Sequence, residues 1–179
     1  MRRALLLLLI ACLFSGLVST AAARPTGEAS ARLIGLETSL VQQINAVRSA
    51  RGLNRLALSP ALARAANSHS AAMLAAGVFA HESPNGTPFS DRLKRFYAPR
   101  GAWTVGENLA MFGGVEPSAE EVVRMWLGSP AHRVNLLRPG FRELGLGVRH
   151  TADGTGVYAG MPAWVITLDM GARASLHSR

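Results

Sequence analysis

Three short blocks in this chain carry side chains able to do chemistry together. His81 stands in a Phe-Ala-His-Glu-Ser-Pro-Asn-Gly run from 79 to 86, and Glu107 in Gly-Glu-Asn-Leu-Ala from 106 to 110. His132 stands in Trp-Leu-Gly-Ser-Pro-Ala-His-Arg-Val-Asn-Leu from 126 to 136. An imidazole titrates near neutrality and offers a nitrogen lone pair, and a carboxylate takes a proton or a cation. If the three converge, the group can move a proton or hold a divalent metal. Spacing does not bring them together; the elements that carry them must.

Those elements begin as helices. Leu33, Leu36, Leu40, Ile44 and Val47 recur at helical spacing, so 31–51 reads as an amphipathic helix ended by Gly52. Ser59-Pro60 is a helix start, an N-cap followed by proline in the first turn; the helix carries Leu62, Ala66, His69 and Met73 on one face and stops at Gly77. Thr87-Pro88 repeats the signal for a short helix to about Phe96. Ser118-Ala-Glu-Glu121 is a capping box before a helix with Val122, Met125 and Trp126 expected inward. Ser129-Pro130 starts another, ended by Pro139-Gly140. The period then changes: Leu144, Leu146 and Val148 alternate with Gly145, Gly147 and Arg149, predicting a strand. Asp153-Gly154 is a turn signal. Trp164 to Leu168 predicts the second strand of a hairpin, and Trp103 to Leu109 an earlier strand. Helices first and antiparallel strands later indicate an α+β domain.

The N-terminus reads as an export signal. Arg2-Arg3 precede an apolar core from Ala4 to Val18, and Ala21-Ala-Ala23 supplies small residues in cleavage register. Leu9-Ile-Ala-Cys12 resembles a lipobox, but the peptide before Cys12 is short and Leu13-Phe14 continue the apolar run. Cleavage after Ala23 is therefore expected, leaving no transmembrane segment. Cys12 is the single cysteine, so the exported chain carries no disulfide and its core must stabilise it unaided. The expected organisation is signal peptide 1–23, mobile lead-in 24–30, one domain 31–172 and a tail 173–179.

The chain has 19 Lys+Arg against 11 Asp+Glu. Removing Arg2 and Arg3 from the 19 leaves 17 against 11, a net +6. Lys94 is the sole lysine, and the arginines are scattered, with only Arg92, Lys94, Arg95 and Arg100 forming a local surface cluster. Aromatics are not interleaved with it, so no nucleic-acid partner is expected. Neither a G-x-S-x-G nucleophile turn nor H-E-x-x-H is present, which weakens a hydrolase reading.

Taken in order, these blocks resemble the bacterial branch of the CAP superfamily, which contains cysteine-rich secretory, venom-antigen and pathogenesis-related proteins. The resemblance runs from Asn45-Ala-Val-Arg48 through Leu58-Ser-Pro-Ala-Leu62, His69-Ser70 with Met73, the three blocks above, and Gly145-Leu-Gly147. It implies a CAP-type α-β-α sandwich, a small antiparallel sheet between helical layers with a cleft on one side. Better-known members line this cleft with two histidines and two glutamates, and some bind zinc or magnesium there. His81, Glu107 and His132 match three of these; Ser129 stands where the second glutamate would be. The implied cleft is His81, Glu107, His132 and Ser129, supported by His69, Asn108, Arg133 and Asn135. With one carboxylate missing, at most weak zinc held by His81 and His132 is expected, with Glu107 orienting a histidine.

The resulting expectation is an exported protein, periplasmic or extracellular, that binds a lipid, cell-envelope or protein ligand and is not an enzyme. A metal-assisted hydrolase or protease using the same cleft is one alternative, and an envelope structural protein another.

Overall fold

The computed structural model describes residues 27–97 and 102–173. The expected signal peptide, residues 24–26 and residues 174–179 lie outside the described residues. Helix α1 spans Gly27–Ser49, four residues longer at its start than its apolar stripe predicts. Residues 27–30, expected as lead-in, are helical because no helix breaker separates them from Leu33. A two-residue strand β1 (Ala57–Leu58) leads into α2 (Pro60–Ala76). Ser59 caps α2 by accepting from the Leu62 amide, and Gly77 at φ 66° ends it by donating to the Met73 and Leu74 carbonyls. Helix α3 is Phe89–Tyr97, β2 is Trp103–Gly113, α4 is Ala119–Gly128 and α5 is Pro130–Leu136. Strands β3 (Glu143–Gly154) and β4 (Met161–Arg173) complete the chain. Among the described residues no helix is long and apolar enough to cross a membrane.

The capping box at Ser118 and Glu121 is formed. Met125 is 38% exposed, contrary to the expected inward position; Val122, Val123 and Trp126 make the buried stripe of α4 instead. The Asp153-Gly154 turn is displaced. β3 runs through Gly154 with an irregularity after Thr151, and the chain reverses through a 3₁₀ turn at Gly156–Tyr158. Ala159 and Gly160 take the positive φ values, 55° and 73°, that close the reversal.

The sheet order is β1-β3-β4-β2. β4 is antiparallel to both β2 and β3, but β1 runs parallel to β3 through Ala57↔Glu143 and Leu58↔Leu144. The expected antiparallel sheet is thus mixed at its outer edge. Strand alternation separates two layers. Trp164, Ile166, Leu168 and Met170 of β4 join Leu144, Leu146 and Val148 of β3 in one core with α1, α4 and α5. The odd-numbered positions of β4 face α2 and α3. There α2 lies directly on the sheet: a Cβ on Gly145 would come 2.0 Å from the Ala63 nitrogen, and one on Gly147 2.3 Å from the Asn67 nitrogen. Glycine is the residue that permits such an approach.

Candidate functional site

The α2–α3 face of β2 carries Glu107, only 3% exposed. A lone carboxylate at that depth would be strongly destabilising, and two side chains meet it. Arg92 of α3 donates through Nη2 to Glu107 Oε2. His81, in the segment between α2 and α3, pairs through Nδ1 with Glu107 Oε1 at 2.8 Å. A carboxylate only accepts, so His81 carries its proton on Nδ1 and turns Nε2 away from Glu107. The His81 side chain is 47% exposed. Its bond to Glu107 raises its proton affinity above that of an ordinary histidine, with burial opposing.

Three hydrogen bonds fix the segment that presents His81. The Tyr158 hydroxyl donates to the Val78 carbonyl at 2.6 Å, and His69 Nε2 to the Ala80 carbonyl at 2.9 Å. Arg92 Nη1 donates to the His81 carbonyl at 2.9 Å. The next four residues close a turn in which the Gly86 amide donates to the Ser83 carbonyl and the Ser83 amide to the Thr87 carbonyl. His69 is therefore a buried support, held from α2. Burial lowers its proton affinity, and Nδ1 has no hydrogen-bond partner.

His132 approaches from the other layer. The Asn108 amide donates to the His132 carbonyl at 3.0 Å, and the Asn135 amide donates to the Glu107 carbonyl and to Asn108 Oδ1, both at 3.1 Å. These bonds stitch α5 to the stretch of β2 that bears Glu107. The His132 ring is half-buried and makes no hydrogen bond with His81 or Glu107. Burial lowers its proton affinity, and the charge of His81 lowers it further. Ser129 joins α4 to α5 and gives α5 no side-chain cap. Arg133 Nε donates to the Leu127 carbonyl at 2.6 Å, bracing that corner.

Two residues of the cluster have no place in the three blocks. Arg92, assigned from sequence to a surface cluster, is 6% exposed and turned inward. Its signal was its place on the apolar stripe Phe89, Arg92, Leu93, Phe96 and Tyr97. Asp169 of β4 stands opposite Glu107 in the strand register and is fully buried. Its signal was an acid within the apolar run from Trp164 to Met170.

The donor set does not suit a protein-held metal. Both oxygens of Glu107 are engaged by Arg92 and His81, leaving two imidazoles where a catalytic zinc takes three protein ligands. Among the described residues no three His, Cys, Asp or Glu side chains are disposed around a common ion. A cavity of about 740 Å³ lies elsewhere, against Leu33, Ile34, Glu37, Arg149 and Trp164. None of the expected cleft residues, His81, Glu107, Ser129 and His132, lines it.

Comparison with known proteins bears on this arrangement. The family model described as "CAP: Cysteine-rich secretory protein family" matches residues 41–167. The curated protein YkwD of Bacillus subtilis, which carries no assigned function in its name, is 35% identical over 123 residues, 68% of this chain and 46% of its own length. The chain thus spans under half of that relative. An extracellular protein containing an SCP domain from Bacillus anthracis is 28% identical at a TM-score of 0.58, over 81% of this chain and 44% of that one. An outer surface protein from Borrelia burgdorferi, at 23% identity, shares the fold with a TM-score of 0.56 over 75% of this chain and 90% of that one.

Proposed function

Because the chain belongs to the CAP family of cysteine-rich secretory proteins, we propose that it is an exported bacterial binding module. Its cleft takes a polar group of a lipid, cell-envelope or protein ligand and breaks no bond in it. The observation that carries this reading is the double engagement of Glu107 by Arg92 and His81. A carboxylate neutralised by a buried guanidinium is a poor base and a poor metal ligand. What faces outward is the His81 ring, oriented through Nδ1, with Nε2 free to meet a ligand. As an imidazolium it donates a charge-assisted hydrogen bond to a phosphate, carboxylate or carbonyl oxygen. Export is supported by the leader-like N-terminus and by relatives named as extracellular or outer-surface proteins.

The carboxylate-oriented imidazole also favours a second reading, a hydrolase in which His81 activates water or a hydroxyl. Against it, among the described residues no serine, threonine or cysteine side chain is hydrogen-bonded to His81. The two readings separate in one experiment. Ring signals of His81 are followed by NMR while solubilised envelope lipids and cell-wall fragments are added, and the same preparation is assayed on peptide and ester panels. Saturable shifts without hydrolysis, lost in His81→Ala, support binding. Hydrolysis that disappears in His81→Ala contradicts it, and neither response supports the envelope structural alternative.

A further inference from the structure

We propose that Asp169 is the second acid of this site: a buried, proton-bearing positioning residue that donates to Glu107 and sets its carboxylate for Arg92 and His81. The inference concerns how the cleft is held and stands whichever ligand the cleft takes. Ser129 occupies the place where relatives are expected to supply a second carboxylate from α4. Here the second carboxylate comes from beneath, from the central strand.

The geometry begins with the strand register. Glu107 of β2 pairs directly with Asp169 of β4, and Asp169 pairs in turn with Gly145 of β3. Directly opposed residues on neighbouring antiparallel strands point to the same face, with Cβ atoms about 5 Å apart. Gly145 adds no side chain, and α2 closes over it. Asp169 is 0% exposed, and neither of its oxygens has a hydrogen-bond donor among the described residues.

The donors nearby are committed elsewhere. The Ser70 hydroxyl donates to the Gly147 carbonyl and accepts from the Thr167 hydroxyl, and His69 Nε2 donates to the Ala80 carbonyl. Both terminal nitrogens of Arg92 are used on Glu107, the His81 carbonyl and Ser83 Oγ. Arg92 Nε is unpartnered but makes no hydrogen bond with Asp169. An ionised Asp169 would be a second buried anion beside one buried guanidinium, with no donor to stabilise it. Protonation removes that imbalance and turns Asp169 into a donor. The acceptor across the strand pair is Glu107, whose oxygens have lone pairs to spare.

The charged and titratable groups around Asp169 act in a consistent direction. Burial favours its neutral form most, Glu107 on β2 adds to this, and Arg92 on α3 alone opposes. His69 on α2 is itself kept toward neutrality by burial. His81, in the α2–α3 segment, is reached only through Glu107. An acid that binds its proton more tightly in the folded state stabilises the fold fully below its ordinary value of 3.8, and loses that contribution as pH rises through the folded value.

The test uses the full exported chain. Carbon-13 labelling of aspartate carboxyls, with Asp169→Asn as the assignment control, reads the protonation state by NMR at neutral pH. A protonated carboxyl signal that vanishes in Asp169→Asn is expected; a carboxylate signal from Asp169 overturns the proposal. Thermal midpoints across roughly pH 5 to 9, the window between ordinary carboxyl and lysine titration, supply the second readout. Asp169→Asn keeps an N–H donor to Glu107 and removes the titration. Its midpoint should match or exceed wild type at neutral pH, with the gap widening as pH rises; His69 and His132 titrate in both proteins and cancel in the difference. Asp169→Leu removes the donor and should lower the midpoint. A folded Asp169→Asn protein less stable than wild type at neutral and alkaline pH, or one that fails to fold while Asp169→Leu folds, overturns the proposal.

Discussion

The two faces of the sheet do different work. On one, Leu36, Leu40 and Ile44 of α1, Val122 and Trp126 of α4 and Leu136 of α5 close over the aliphatic rows of β3 and β4. On the other, α2 rests on the glycines of β3, and the ground left between α2, α3 and β2 holds His69, Arg92, Glu107 and Asp169. The first face gains stability from apolar area removed from water. The second contains groups that are costly to bury and tolerable only when paired. Residues kept there against that cost make this the face on which the proposed function rests.

The apolar face should break hardest. Trp126→Ala removes a fully buried ring and its indole donation to the Leu109 carbonyl. A loss of about 4 kcal/mol is expected for such a truncation, read by denaturant unfolding; a loss as small as that of a surface substitution would contradict the assignment of stability to this face.

The polar face should show a different pattern. Arg92→Leu leaves the Glu107 carboxylate buried without its guanidinium, and a loss of about 3 kcal/mol is expected for an uncompensated buried charge. Adding Glu107→Leu to that variant should recover stability, because the orphaned charge is removed as well. If the double variant is the sum of the two single losses, the buried pair does not behave as a coupled unit.

Acid should act through the polar face more than through the apolar one. His69 and His132 bind protons less readily folded than unfolded, burial being the first cause in each. Their contribution is present above the ordinary histidine value of 6.5 and is lost as pH falls below it through the folded values. His81 has the opposite sign, stabilising below 6.5 and losing that contribution as pH rises through its folded value. Between neutral and mildly acidic pH the unfolding midpoint of wild type should therefore fall relative to that of His69→Gln, because His81 and Asp169, which act in the opposite direction, are common to both proteins. A difference between the two that stays constant with pH would remove His69 from the account.

The smallest expected effect on stability lies at His81, the residue proposed to meet the ligand. His81→Ala removes a side chain nearly half exposed, so water can take its place at Glu107 Oε1, and a loss of about 1 kcal/mol is expected. Ligand-induced NMR shifts at the cleft should nevertheless be lost. A large destabilisation would make His81 a structural residue.

Much of the frame was readable because it is locally encoded. Ser59-Pro60, Gly77 and the Ser118 capping box act within one helical turn, and the alternation of β3 and β4 reflects their two buried faces. β1 has two residues and no periodicity, so its parallel pairing with β3 left no mark in the pattern. The hairpin reversal moved past Gly154 because an irregularity after Thr151 lengthened the strand. In the site, the family blocks pointed to His81 and Glu107, whose side chains bond directly. Arg92 and Asp169 were not legible because their pairing is long-range. Arg92 reaches Glu107 from a separate helix, and Asp169 meets it only through the register of β2 on β4. An arginine on an apolar stripe and an acid in an apolar strand were the local signs that each had a partner elsewhere.

The central claim is that Glu107 holds and charges the outward-facing imidazole of His81. A histidine NMR pH titration of the wild-type chain and of Glu107→Gln tests it most directly. His81 should titrate above the ordinary value of 6.5 in wild type, because Glu107 stabilises its protonated ring, and should move down in Glu107→Gln. A His81 titration at the ordinary value in both proteins would contradict the account.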